Sequence, residues 1–436
     1  MDLPKACLML LGAALVIAAS PQGVSGRATD IGVNGRANAN ASLAATGQFV
    51  ALVWVARTNE GVTDIYGASS RDGGRTFGPP TRVNREAGEA SVSGEQPPRI
   101  ALVPRRASDP SIVVVWTAKS AGGTRLLSSR SDDGGRSFAS SVPVPGSDAS
   151  GNRGWEAIAT NRDGHVVALW LDHRELAAGK TGATPMNHAE HDHVASDKPQ
   201  TDGVARAQLS KLFFGQLDDR DSARALTGGV CYCCKTAIAV GGNGSVFAAW
   251  RHVYDGNLRD IAFTMSANGG RTFIPPVRVS EDHWAIDGCP ENGPALTVDA
   301  ANRIHVVWPT LSAGAAAGSE PTLALFYAMS EDGRRFAPRQ QIPTDGVPRH
   351  PQIAMSPGGS LVVAWDEQIN GSRRVVMSKT VPVNQGPARF TRDPVGITDR
   401  GEYPVVAAAD DGYLIAWTSG PPTQSVIRVE RMTTRE

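Results

Sequence analysis

The chain has 436 residues, and its 43 lysines and arginines balance its 43 aspartates and glutamates. Zero net charge gives no electrostatic reason to expect nucleic acid or an anionic membrane as the partner, so both function classes are set aside. The 47 glycines and 29 prolines predict many turns and few long helices.

The first 26 residues are typical of a secretion signal. Lys5 supplies positive charge, Leu8 to Ala19 is an apolar run, and small residues precede Pro21. This run is too short to span a bilayer comfortably, and no other stretch is long and apolar enough. We therefore expect cleavage after the leader, and a soluble, monomeric protein that is periplasmic or secreted.

Seven short apolar runs along the chain each end in tryptophan. These residues are Trp54, Trp116, Trp170, Trp250, Trp308, Trp365 and Trp417. The successive intervals are 62, 54, 80, 58, 57 and 52 residues, and five of the six fit one unit of four short strands. A strand signature that recurs at a long period indicates a repeat architecture. The longest interval predicts an insertion, at residues 175–203.

A glycine-rich turn recurs after the strand that follows the tryptophan. Its four copies are Ser70–Phe77, Ser131–Phe138, Ser266–Phe273 and the shorter Ser330–Phe336. An Asp or Asn side chain can accept hydrogen bonds from the turn, glycine supplies the positive φ, and the aromatic ring anchors the hairpin. Each copy therefore predicts a hairpin between the third and fourth strands of a unit.

The turn S-x-D-x-G-x-x-F resembles the Asp-box, or BNR repeat, of sialidase-like β-propellers. The resemblance covers nearly all of the chain after the leader and implies one all-β propeller domain, residues 27–436, with four-stranded blades. The tryptophan count favours seven blades, whereas sialidases have six. Thr29 to Asn34 resembles the fourth strands, so we expect it to complete the last blade and close the ring.

Propeller geometry assigns the loops to faces. With the strands of a blade lettered A to D, the D–A and B–C loops share one face, and ligands of closed propellers bind where these loops meet the central funnel. We therefore expect a glycan or a small molecule to bind there.

Four cysteines and a histidine-rich insertion fall on this face. The candidate metal ligands are Cys231, Cys233, Cys234, Cys289, His188, His191 and His193. An even number of exported cysteines first suggests disulfides, with Cys289 bonded to one of the other three. Soft thiolates beside imidazoles also suit copper or zinc, and both interpretations stay open.

The C-x-C-C segment and the later Gly288-Cys289-Pro290-Glu291-Asn292-Gly293-Pro294 resemble a bacterial subgroup of exported sialidase-like proteins. The family's chemistry needs three arginines on the substrate carboxylate, a tyrosine nucleophile with a glutamate, and an aspartate acid. The candidate arginines are Arg99, Arg251 and Arg349. The candidate catalytic residues are Tyr403, Glu367 and Asp255.

The resemblance thus implies an exo-sialidase type of glycoside hydrolase that acts on acidic glycans. The chain departs from the family because no Arg-Ile-Pro precedes the first Asp-box, and Arg99-Ile100-Ala101 is the nearest match. Two alternatives follow, namely a non-catalytic binding module and an exported copper or zinc protein.

Overall fold

Each tryptophan run is the second strand of a four-stranded antiparallel sheet, and seven such sheets form a ring. The computed structural model describes residues 28–178, 203–286, 288, 290–312, 320–381, 388–392 and 400–433. The predicted propeller and its blade number of seven are confirmed.

The strands of blades 1 to 3 are β2 (Ala37–Thr46), β3 (Phe49–Arg57), β4 (Thr63–Ser70), β5 (Thr81–Arg82), β6 (Arg99–Val103), β7 (Ser111–Ser120), β8 (Gly123–Ser131), β9 (Val142–Pro143), β10 (Arg153–Thr160), β11 (Val166–Asp172), β12 (Lys211–Gln216) and β13 (Asp219–Thr227). Blades 4 and 5 are β14 (Ala237–Val240), β15 (Val246–Arg251), β16 (Ile261–Ser266), β17 (Val277–Arg278), β18 (Ala295–Val298), β19 (Ile304–Ser312), β20 (Thr322–Ser330) and β21 (Gln340–Ile342). Blade 6 is β22 (Val347–Met355), β23 (Leu361–Ile369), β24 (Ser372–Thr380) and β25 (Phe390–Arg392), and blade 7 is β26 (Glu402–Ala409), β27 (Gly412–Ser419), β28 (Val426–Thr433) and β1 (Thr29–Ile31).

The N-terminal strand closes the ring as predicted. Strand β1 pairs antiparallel with β28, with Thr29 opposite Val429 and Ile31 opposite Ile427. The last blade therefore takes its outer strand from the beginning of the chain. This pairing leaves no gap between blade 7 and blade 1.

The core lies between neighbouring blades. Because side chains alternate across a strand, each sheet sends one set to each neighbour. Phe247 and Phe263 of blade 4 thus share one apolar cluster with Val306 and Trp308 of blade 5. All seven second-strand tryptophans are fully buried. Each removes roughly 200 Å² from water, worth about 5 kcal/mol as an upper bound.

In all four glycine-rich turns the serine hydroxyl accepts from a glycine amide, and the Asp or Asn side chain accepts from at least one later amide. In the first copy, the Ser70 hydroxyl accepts from the Gly74 amide at 2.9 Å, and Asp72 accepts from the amides of Arg75 and Thr76. Each copy lies between the third and fourth strands of its blade. The four aromatic rings, Phe77, Phe138, Phe273 and Phe336, pack against inter-blade clusters.

The insertion in the longest interval lies between β11 and β12. It begins with helix α1 (Arg174–Ala178) and ends with helix α2 (Gly203–Gln208). Residues 179–202, with the three candidate histidines, lie outside the described residues, as does the predicted leader. Within the described ranges, no helix has the length and apolar character needed to cross a membrane.

The closing strand gives a stability prediction. Ile31 is 7% exposed and packs in the cluster shared by blades 7 and 1. Ile31→Ala should lower the free energy of unfolding by about 2 to 4 kcal/mol, because it leaves a cavity at the seam. Urea denaturation followed by tryptophan fluorescence measures this loss.

Asp30→Asn is the matched control in the same strand. Asp30 forms an exposed ion pair with Arg428, which contributes about 0 to 1 kcal/mol. If both variants unfold like the unmodified protein, the strand does not hold the ring closed.

Candidate functional site

Charged side chains from five of the inter-blade connections meet at one end of the central channel. We name them the axial cluster: Glu95, Arg99, Glu156, Lys235, His350, Asp366 and Tyr403. Six of these residues lie at or beside the beginning of a first strand. The seventh, Asp366, lies next to the tryptophan of a second strand. This is the face expected to bind ligand. A cavity of about 170 Å³ continues from Arg99 and Lys235 down the channel between the first strands.

Lys235 links opposite sides of the cluster. Its backbone amide donates to Glu95 Oε2 at 3.2 Å, and its Nζ donates to the carbonyl of Pro351 at 2.9 Å. Lys235 precedes blade 4, Glu95 precedes blade 2, and Pro351 belongs to blade 6. One buried residue therefore joins three blades at the axis, through its backbone amide and its side chain.

One group in the cluster combines a proton acceptor with a phenol. It consists of His350, Asp366 and Tyr403. The His350 ring nitrogen Nδ1 lies 2.7 Å from Asp366 Oδ1 and donates to it when the ring is neutral with Nε2 unprotonated. That tautomer leaves the Nε2 lone pair available, and Nε2 lies 3.9 Å from Glu95 Oε1, beyond hydrogen-bond distance. The Tyr403 ring lies against His350 with centroids 4.1 Å apart. A proton acceptor and a phenol thus share one face of the funnel.

Arg99 and Glu156 form the inner layer. Arg99 Nε donates to the Glu156 carbonyl at 2.7 Å, and the Thr117 hydroxyl donates to Glu156 Oε2 at 3.1 Å. Arg99 Nη2 and Glu156 Oε1 are buried and have no hydrogen-bond partner among the described residues. Both atoms can take a further hydrogen-bond partner at this end of the channel.

Backbone strain recurs at the same position in four first strands. Asn40, Trp155, His350 and Tyr403 have φ of 50 to 55°, and a break in strand register surrounds each one. Left-handed backbone at such residues costs about 1 to 3 kcal/mol, and bulges of this kind re-aim side chains beside functional sites. The bulges explain how His350 and Tyr403 come to face the axis together.

The glycine at 94 makes room for the phenol. A Cβ added there would lie 2.0 Å from Tyr403 Cζ. Only glycine therefore permits the observed position of the Tyr403 ring beside Glu95.

Burial and charge shift the pKa values of the cluster. Burial raises the pKa of Glu156 to about 7, against the opposing charge of Arg99. Burial lowers the pKa of Lys235 to about 8, although Glu95 opposes that shift. Burial, with the negative charges of Glu95 and Glu402, raises the pKa of the Tyr403 phenol. Tyr403 consequently stays protonated at neutral pH.

The structure separates the three candidate arginines. Arg251 donates to the carbonyls of Asn292, Arg259 and Pro309 and is fully buried, so it braces the loops. Arg99 belongs to the axial cluster. Arg349 directly precedes His350, and its Nε is buried with no hydrogen-bond partner among the described residues. Arg99 and Arg349 remain available to an anionic ligand.

Two candidate carboxylates lie outside the cluster's contacts. Glu367 accepts hydrogen bonds from Arg374 and Arg392, and despite burial these lower its pKa. Its negative charge is therefore balanced by these arginines within blade 6. Asp255 is exposed in a short 3₁₀ turn, Asp255–Asn257, after β15.

Sequence reasoning named the loops of the cluster but did not select Glu95, Glu156, Lys235, His350 or Asp366 as candidates. One sequence signal could have identified Asp366. It directly follows Trp365 in the second strand and lies opposite the beginning of the first strand. The bulges leave no such signal, because a break in register changes which side chains face the axis.

The cysteines form a tight sulfur group before blade 4. Cys231 Sγ lies 3.6 Å from Cys234 Sγ and 3.7 Å from Cys233 Sγ, and all three residues are buried. Cys231 and Cys234 are free thiols, whereas Cys233 is disulfide-bonded. The described loop thus offers two thiols to a metal ion, and both the metal site and the Cys289 pairing stay predictions.

Comparison with known proteins shows the fold. No protein-family model and no curated protein matches the chain. A PL25 ulvan lyase, solved with -[GlcA(1-4)Rha3S]-, aligns with a TM-score of 0.55 and 9% identity over 93% of this chain and 96% of its own. The polysaccharide lyase Uly1 aligns at 0.54 and 11% identity over 90% of both chains. A Dyadobacter fermentans protein of unknown function aligns at 0.50 and 14% identity over 95% and 99%.

Glu156 gives a prediction on pH. Because its folded-state pKa is raised from 4.5 to about 7, folding favours the protonated acid, and stability should fall as pH rises between these values. The loss is on the order of 3 kcal/mol at about 1.4 kcal/mol per pKa unit. Glu156→Gln should remove this loss while keeping an acceptor for Thr117.

Urea denaturation at several pH values tests the difference between the two proteins. Glu402→Gln, at a partly exposed carboxylate on the same face, should leave the pH dependence unchanged. An equal decline in the unmodified protein and in Glu156→Gln would show that Glu156 ionises without penalty.

Proposed function

We propose that this chain is a carbohydrate-active enzyme that cleaves an acidic polysaccharide at the axial cluster, by β-elimination next to a uronate. The observation that carries the proposal is the pairing of His350, fixed by Asp366, with a protonated Tyr403. Elimination needs a base for the proton next to the uronate carboxylate and an acid for the departing glycosidic oxygen. This pair supplies both on one side of the funnel.

His350 is suited to be the base. Donation from Nδ1 to Asp366 orients the ring and leaves Nε2 as the acceptor for a substrate proton. Lys235 supports this arrangement, because it binds the carbonyl of Pro351, directly after the strained His350. The base is therefore held by a side-chain contact within blade 6 and by a backbone contact from the loop before blade 4.

Tyr403 is suited to be the acid. Its raised pKa keeps the proton on the phenol, which favours donation to a leaving oxygen over nucleophilic attack. The Tyr403 backbone amide donates to Asp366 Oδ1 at 3.3 Å, so one carboxylate positions both catalytic groups.

Arg349 is suited to neutralise the substrate carboxylate. Neutralisation makes the adjacent C–H bond more acidic, because the carbanion's charge spreads onto the carboxylate. Arg349 lies opposite Asp366 in the strand pairing, and its Nε has no hydrogen-bond partner among the described residues. Arg99 adds a second positive charge in the inner layer of the axial cluster. Both arginines favour an anionic sugar.

Two aligned propellers are named as polysaccharide lyases, and one was solved with a glucuronate-containing saccharide. Their names support a search for activity on uronate polymers. Exo-sialidase hydrolysis is the alternative that the Asp-box resemblance implies. With Arg251 engaged by carbonyls and the phenol pKa raised, the cluster offers that chemistry neither a free arginine trio nor an activated tyrosine.

His350→Ala and Tyr403→Phe should each lower kcat on a uronate polymer by about a hundred- to ten-thousandfold, because each removes a proton-transfer group. The assay follows ultraviolet absorbance of the unsaturated uronate formed from ulvan, polygalacturonate or hyaluronate. His165→Ala, in the exposed A–B turn of blade 3, and Tyr232→Phe, in the loop before blade 4, are the matched controls and should retain full activity.

The protein can instead be tested with a fluorogenic sialoside. If it releases sialic acid and forms no unsaturated product from any polymer, the proposed elimination is wrong and sialoside hydrolysis takes its place. No product from either substrate class would contradict an enzymatic role on these glycans.

Arg349→Met should lower kcat/KM on the same polymer by about a hundred- to a thousandfold, since the developing charge loses its partner. Arg334→Met, in the exposed glycine-rich turn of blade 5, is the matched control. Equal kinetics for the two variants would show that Arg349 does not meet the carboxylate.

A further inference from the structure

Two free thiols lie in contact with each other beside the funnel. Cys231 and Cys234 have sulfurs 3.6 Å apart, and both side chains are at least 98% buried. A disulfide requires the sulfurs to approach to about 2 Å, a small movement for a loop. The spacing C-x-x-C keeps the two residues within one turn of chain.

The surroundings of Cys231 are cationic. Arg259 Nη1 lies 3.2 Å from Cys231 Sγ, and Arg251 adds a second positive charge nearby. No described ion pair joins either arginine to a carboxylate. A guanidinium in contact with a sulfur stabilises negative charge on that sulfur during nucleophilic attack and opposes the approach of a divalent metal ion.

We propose that Cys231 and Cys234 form a peroxide-reactive dithiol, in which Cys231 is oxidised first and Cys234 then closes a disulfide with it. This site is separate from the proposed glycan chemistry. Its co-substrate is a small hydroperoxide, with hydrogen peroxide as the simplest member.

The reaction balances in two steps. The Cys231 thiolate sulfur attacks one peroxide oxygen, the O–O bond breaks, and hydroxide leaves, which gives a sulfenic acid on Cys231. The Cys234 sulfur then attacks the Cys231 sulfur, the S–S bond forms, and the S–O bond breaks. The departing hydroxide takes the Cys234 thiol proton and leaves as water. The thiols lose two electrons, and the peroxide gains them.

Burial of the two thiols limits the size of the oxidant that can reach them. Hydrogen peroxide is little larger than water, so a local opening of the loop admits it, whereas a bulky aromatic disulfide needs a far larger opening. We therefore expect fast oxidation by hydrogen peroxide and slow reaction with dithiobis(nitrobenzoate) in the folded protein.

The experiment uses the full chain with Cys231 and Cys234 as thiols, verified by alkylation. After hydrogen peroxide, mass spectrometry of the unreduced tryptic peptide of residues 225–235, with the peptide bonded to Cys233 still attached, should show two hydrogens lost. Neither Cys231 nor Cys234 should be open to alkylation. Cys234→Ser should instead accumulate a sulfenic acid on Cys231, trapped by dimedone. Cys231→Ser should trap no dimedone on this peptide.

Arg259→Met should slow the oxidation at least about tenfold, and Arg259→Lys should slow it less, since lysine keeps the charge. Circular dichroism checks that both variants fold. Two alkylatable thiols after peroxide treatment, or equal oxidation rates in Arg259→Met and the unmodified protein, would overturn the proposal. A bound metal ion that shields both thiols from peroxide until it is chelated would replace the proposal with a metal site.

Discussion

The antiparallel pairing of Thr29–Ile31 with Val426–Thr433 is the constraint on which the site depends. An open sheet array could splay, and its first strands would then share no common axis. Closure fixes all seven first strands around one channel. Only then can residues as distant in sequence as Glu95, Lys235 and His350 come into contact. The glycan chemistry proposed for the funnel is therefore a property of the ring, since no single blade contains it.

The fold was largely readable from the sequence because its signals are local and repeated. The tryptophan in each second strand indicated the blade count, and the resemblance of Thr29 to Asn34 to fourth strands indicated the closure. The site was less readable because it depends on long-range contacts. Arg99 and Arg251 look alike as loop arginines. The carbonyls of Asn292, Arg259 and Pro309 engage every side-chain nitrogen of Arg251, whereas one carbonyl accepts from Arg99.

The bulges set a second limit on prediction. Alternation tells which side chain faces the axis only while the register continues, and at Trp155, His350 and Tyr403 it breaks. Each break carries a positive φ that a non-glycine residue adopts at a cost in stability. Burial of Lys235 near Glu95 also lowers stability, because charged groups lose hydration there. The inter-blade cores supply the stability that offsets these costs, and part of the conformational strain lies where the proposed catalytic groups are.

The dithiol and the funnel are joined by a single peptide bond. Cys234 is followed by Lys235, whose amide binds Glu95 and whose ammonium binds the carbonyl after His350. Drawing the Cys234 sulfur towards Cys231 from 3.6 Å to about 2 Å must be absorbed by side-chain rotation or by the backbone of this segment. Rotation is restricted, because both cysteines are packed in the apolar cluster between blades 3 and 4. Any backbone part of the movement begins at the peptide bond between Cys234 and Lys235, so the hydrogen bond from the Lys235 amide to Glu95 is the funnel contact nearest to it.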